Sequence, residues 1–290
     1  MKAIKKLIIS LVVIVAILGV AVIGGYIYVR TAYGIDLFRT AGQLKTLTQE
    51  VDETTLCPNA YGDKDFADMK TEVNKRLDGL ISYEEGKGYN GYSVNFAVLA
   101  GKSMDDMISL TEKQVGAIAQ TVFYEQTGGK IKLGEKEVSV TVVQVDFSEF
   151  ADNGSADFNV VAKLDLTPFK ADMGEFPYKY FKKYIPDSLY VSSTVRVDKT
   201  EAEGFAYTVT HKSLTLNNLS ADDTADLFDT LNAVLKIGTA ENLNIQIGTT
   251  AVNAIIGKAE NPGFAYSMKA IGATTFNFAT VSGVDWFIVY

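Results

Sequence analysis

The chain has 290 residues, with 27 Lys or Arg against 35 Asp or Glu and a net charge of −8. That acidic balance disfavours nucleic acid, whose phosphates need a basic surface, and non-specific attraction to an anionic bilayer. One cysteine excludes an intrachain disulfide, and one histidine leaves no His/Cys zinc set; 5 prolines beside 15 Tyr and 16 Phe indicate a folded chain.

Leu7 to Val29 form 23 consecutive uncharged positions, preceded by Lys2, Lys5 and Lys6. As a helix they span roughly 34 Å, enough for a hydrocarbon core of about 30 Å. The run predicts a single transmembrane helix over 7–29, with 1–6 cytoplasmic and the bulk of the chain extracytoplasmic. Without Lys2, Lys5, Lys6 and Arg30, 23 basic and 35 acidic residues remain outside, a net charge of −12. The rival reading is a cleaved signal peptide cut after Ala21 or Gly24. Against it, the run exceeds the usual apolar region of about 7–15 residues, and Tyr26 and Tyr28 suit a membrane–water interface. Cys57 lies too far downstream to be a lipidation site, and Cys57-Pro58 reads as a turn.

Residues 30–104 read as a helical membrane-proximal region. Ile35, Phe38, Ala41, Leu44, Leu47 and Val51 recur every three to four positions, predicting a helix over 34–51. Phe66, Met69, Val73, Leu77 and Leu80 predict a second over 65–81. Gly86 to Gly91 is a loop, and Ser93 to Ala100 reads as a strand. With Tyr83, Tyr89 and Tyr92 the loop either stacks on sugar or is a flexible connection.

Residues 105–290 read as an external α+β domain. Thr111 and Gln114 have capping-box spacing, Val115, Ile118, Ala119, Val122 and Phe123 form a helical stripe, and Gly128-Gly129 ends it. The period then falls to two. Val138 to Val142, Phe158 to Leu166, Leu189 to Val197 and Phe205 to Val209 alternate with polar residues, and Leu214 and Leu216 resume the pattern after a register slip. Such alternation predicts a curved antiparallel sheet with one buried face, packed on helices. Ser220 and Asp223 open a helix with Leu227, Phe228, Leu231, Val234 and Leu235 as its stripe. The remainder predicts strands near 242–247, 264–270, 275–280 and 285–290, and a short helix over 249–257. Residues 108–118 and 245–255 share a short I-x-[LI] strand leading into x-V-x-A-I, through either duplication or chance.

The order of a single span, a spacer, I-S-L-T-E-K-Q-V-G-A-I at 108–118, long amphipathic strands and I-P-D-S-L-Y-V at 185–191 resembles YpmS-like single-span envelope proteins of Gram-positive bacteria. It is also similar to small lipoproteins with a tubular lipid-binding (TULIP-like) fold. The resemblance covers roughly 105–260. It implies a curved sheet around a long helix with a lipid-holding apolar groove between them, and it transfers no site residue.

No residue pattern announces catalysis. His211, in a strand beside Val209, reads as packed or half-buried, and no G-x-S-x-G elbow or phosphate-binding glycine loop occurs. Glu84-Glu85, Asp105-Asp106 and Asp222-Asp223 read as solvated or helix-start carboxylates rather than a glycosidase pair. No catalytic residue, metal or cofactor is expected. The predicted apolar groove comprises Val115, Ile118, Val122, Phe123, Leu227, Leu231 and Val234. A second candidate is the aromatic–lysine segment 176–186, where Lys179, Tyr180, Lys182, Lys183 and Tyr184 either touch a membrane or head group, or belong to a crossover helix covering the sheet. The functions in play are an anchored envelope protein binding a lipid or apolar ligand, a scaffold or partner-binding protein with a filled core, and a carboxylate hydrolase.

Overall fold

The computed structural model describes residues 36–290 apart from 105, 134–135, 172–184, 202 and 236–237. The predicted span over 7–29 and the candidates Lys179, Tyr180, Lys182, Lys183 and Tyr184 lie outside the described residues. Among the described residues no helix is long and apolar enough to cross a membrane.

Helix α1 (Leu37–Leu47) begins where the Asp36 carboxylate accepts the Phe38 and Arg39 N–H groups at 3.0 and 3.1 Å, satisfying amides with no partner in the helix. Asp52 does the same for the short α2 (Glu53–Leu56). Helix α3 (Asp63–Asn74) stops earlier than the periodicity predicts. The Asn74 side chain takes both the N–H and the C=O of Ile81, at 2.9 and 2.7 Å, and so starts strand β1 (Ile81–Tyr83). β1 pairs with β2 (Tyr92–Val94). The strand expected over 93–100 ends there, because Asn95 caps a 3-10 turn over Phe96–Leu99. In the intervening loop Gly91 has φ 88°, and a Cβ there would lie 2.6 Å from the Tyr83 ring. Tyr89 and Tyr92 pack on the buried Phe66, with centroids at 5.5 and 5.3 Å.

Strand β3 (Ile108–Thr111) runs directly into α4 (Glu112–Thr127). The capping box forms as read: Thr111 Oγ1 accepts from the Gln114 N–H at 3.4 Å, and Gln114 Oε1 from the Thr111 N–H at 2.9 Å. Gly128, at φ 67°, closes the helix. Strands β4 (Lys130–Leu133), β5 (Lys136–Phe147), β6 (Ser155–Asp165), β7 (Ser188–Lys199) and β8 (Tyr207–Leu216) then make a five-stranded antiparallel meander in chain order. A short helix, α5 (Thr167–Ala171), follows β6.

Two bulges interrupt the meander. Val142 faces Ala162 and Gln144 faces Val161, which leaves Val143 extra in β5. Thr194 faces Ser213 and Val195 faces His211, which leaves Lys212 extra in β8. The second bulge is the slip that the sequence places between Val209 and Leu214. An extra residue bends its strand and increases the local twist.

Beyond β4, the exposed edge of β5 is finished by side chains. Gln120 of α4 accepts the Val142 N–H at 2.7 Å, Glu112 accepts the Phe147 N–H at 2.8 Å, and the Tyr61 hydroxyl donates to the Val142 C=O. Edge groups that would otherwise recruit another strand are thereby occupied.

Helix α6 (Ala221–Leu235) starts at Ser220, whose Oγ accepts the Asp223 N–H at 3.1 Å. The next two expectations are corrected. Residues 242–247 are not a strand; with 249–255 they form one helix, α7 (Ala240–Ile255), capped by the Thr239 hydroxyl at 3.2 Å from the Asn242 N–H. Residues 264–270 are helical as well, α8 (Phe264–Ser267) followed by a 3-10 turn, because Phe264, Ala265, Met268 and Ile271 are buried at helical spacing. The echo between 108–118 and 245–255 therefore does not repeat as structure: the first is strand then helix, the second helix throughout. Strands β9 (Phe276–Val281) and β10 (Val284–Val289) form as expected, and β10 lies between β9 and β3.

These pieces share one core. Helices α4 and α7 pack on the buried face of the meander, and α3 packs on α4. The three-stranded sheet joins through phenylalanines, with Phe278 at 4.6 Å from Phe147 and 5.5 Å from Phe287 between ring centroids. Leu44, Phe66 and Leu80, from the N-terminal part of the described chain, belong to the same apolar cluster as Val138 and Leu164. The sheet's other face is covered locally, where Val161 and Tyr190 pack with the buried Cys57.

Candidate functional site

One cleft interrupts the packing between α4, α7 and the meander. It has a volume of about 110 Å³ and opens to the surface. Its floor is Ile131, Val140, Val160, Ala162, Ala119 and Ile247, all buried. Phe123 and the half-buried Ala251 and Ala254 form its walls. Gln126, Gln246, Thr250, Asn253 and Asn261 surround its mouth.

The cleft exists because α7 sits close to one end of the meander and leaves the other end less filled. At Gly248 a Cβ would lie 2.3 Å from Val195 Cγ1, so the helix presses directly on β7 there. Asn244, fully buried one turn earlier, fixes that contact. Its Nδ2 donates to the Thr194 C=O at 2.8 Å, and its Oδ1 accepts from the Ser193 hydroxyl at 2.6 Å. Nδ2 also lies 2.7 Å from Nδ1 of the half-buried His211. Ser193 and His211 thus both address Asn244 rather than each other, so no base reaches the serine. Further along α7, alanines at 251 and 254 face the valines and alanine of β5 and β6, and these small side chains leave the space open.

Of the predicted groove residues with described side chains, only Phe123 lines the cleft. Val115, Ile118 and Val122 are buried elsewhere in the core, as is Leu227. Leu231 and Val234 lie on α6, and their side chains are outside the described ones. The physical reason is that α4 is enclosed on all sides: every position from Val115 to Val122 is buried. Of the apolar stripe read in the sequence, Ala119 and Phe123 turn toward the cleft, while Val115, Ile118 and Val122 do not. The face toward the cleft is carried by Ala119, Phe123 and Gln126. The α7 residues were missed because N-L-N-I-Q-I alternates like a strand. The helical signal was present in Thr239 as cap and in Ala240, Leu243, Ile247, Ala251 and Ala254 at spacings of three to four.

No charged side chain lines the cleft among the described residues. Among the described carboxyls the largest upward shift lies outside it, at Glu112. Burial, with Asp146 and Asp285 adding repulsion, pushes its carboxyl up to about 7, while the Phe147 N–H opposes the shift. Cys57 is 6% exposed, and burial pushes its thiol up to about 11, which suits packing rather than reactivity.

Compared with known proteins, the chain matches no family model, no curated protein and no solved structure.

Proposed function

We propose that this is a single-span, membrane-anchored envelope protein that takes the end of an apolar chain into the cleft between α4, α7 and the meander, without catalysing a reaction. The observation that carries the reading is the open, apolar-floored space of about 110 Å³ beside the main apolar cluster. A benzene-sized guest occupies a cavity of about 150 Å³, so this one shelters about four carbon atoms. That suits a chain terminus rather than a whole lipid. The bulged meander against α4 is consistent with the curved, tubular architecture of the resemblance. Anchoring rests on the uncharged run 7–29 and its flanking lysines.

The second reading is a scaffold or partner-binding protein. Its support is the size of the cleft, well below the ~300–1,000 Å³ of ordinary ligand pockets.

Ala254→Phe separates the two. If the cleft binds a ligand, native mass spectrometry of the full-length chain shows an added apolar mass that the variant lacks, with stability nearly kept because the ring fills existing space. If the cleft closes in solution, the extra ring costs about 1–3 kcal/mol and no added mass is seen in either protein. External protease on intact cells should remove residues beyond the span; full protection would reverse the orientation.

A further inference from the structure

The mouth of the cleft carries chemistry that its floor does not. Four carboxamides, Gln126, Gln246, Asn253 and Asn261, stand around it with the hydroxyl of Thr250. Gln246, Thr250 and Asn253 recur at i, i+4 and i+7 along α7, so they form one stripe, and Gln126 faces them from α4. Charged residues are 21% of the sequence, yet none lines this opening among the described residues. Each carboxamide offers both a donor and an acceptor. Asn253 uses its Oδ1 for the Tyr207 hydroxyl, and its Nδ2 makes no hydrogen bond to the other described residues. The side chains of Gln126, Gln246 and Asn261 make no hydrogen bond to other described residues.

We propose that the ligand is an uncharged amphiphile, with a head group bearing several hydroxyl or amide functions read by the carboxamide rim and a short alkyl end held on the valine–alanine floor. This rests on the cleft being a binding site and specifies what it selects. A phosphate or carboxylate head would enter with no cation to receive it, in a part of the chain that carries −12. A quaternary ammonium would find neither a carboxylate nor an aromatic cage. A polyhydroxylated head pairs with amides as donor and acceptor at once.

The test uses the full-length chain in nanodiscs and three photoreactive probes with the same alkyl tail, carrying a glucoside, a phosphate or a trimethylammonium head. Labelled peptides are mapped by mass spectrometry. The glucoside should label the α7 peptide spanning Gln246 to Asn253 at least tenfold more than either charged probe, and Ala254→Phe should abolish that labelling. Gln126→Glu with Gln246→Glu should move the preference to the trimethylammonium probe. Equal or stronger labelling by the phosphate probe, suppressed by Ala254→Phe, overturns the neutral-head assignment and leaves the cleft as a binding site. Labelling insensitive to Ala254→Phe with all three probes overturns both.

Discussion

Glu112 shows how a single side chain couples the helical layer to the sheet. It occupies the first turn of α4, where a carboxylate is favoured, and its Oε1 holds the Phe147 N–H at 2.8 Å. Burial nevertheless raises its folded value to about 7, above the ordinary 4.5. The folded protein therefore binds this proton more tightly than the unfolded chain. Its contribution to stability is full below about pH 4.5 and is lost as pH rises through about 7. Glu112→Gln keeps the acceptor for Phe147 and removes the titration. Urea unfolding between pH 5 and 8 should show the parent losing stability and the variant staying flatter; identical slopes would refute the assignment. The sequence disclosed the local half of this arrangement. Thr111 and Gln114 announce the cap because their partners lie three residues away. Glu112 and Gln120 reach β5, 35 and 22 residues on, and nothing local encodes that.

Among the elements, periodicity served well where one face is wet and failed where a segment is enclosed. The meander was legible, including the β8 bulge, because the hydrophobic set changes parity between Val209 and Leu214. Helix α7 was not, because polar Asn242, Asn244 and Gln246 alternate with Leu243, Ile245 and Ile247 while a buried amide network takes Asn244. Close approach is the other feature hidden from the pattern, and two glycines test it. Gly42 in α1 has open space at its Cβ position, so Gly42→Ala should stabilise by about 1 kcal/mol through helix propensity alone. Gly248→Ala makes the same gain but drives a methyl into the stiff, β-branched Val195, an overpacking cost of about 1–3 kcal/mol. The cost prevails, so thermal unfolding should shift upward for the first variant and downward for the second. A stabilised Gly248→Ala would mean that α7 sits farther from β7 than the structure has it.

Across the described residues, a small apolar cleft lies between helices α4 and α7 and the five-stranded meander, in an acidic chain whose uncharged run 7–29 is the proposed membrane span. Fold class and the antiparallel character of the sheets were readable from alternation. The location of the cleft was not, because it depends on where small side chains on α7, β5 and β6 happen to meet. Its size sets a sharp expectation. Each methylene buried is worth about 0.8 kcal/mol, roughly fourfold in affinity, for as long as there is room. About four carbons fit. The decisive measurement is a methyl NMR titration of the full-length chain with alkyl glucosides of increasing length, followed at Ala119, Ala162 and Ala254. Affinity should climb about fourfold per carbon through about four carbons and then level off, with all three methyl signals shifting. A flat series with unmoved methyl signals would contradict binding in the cleft and leave a filled-core scaffold in its place.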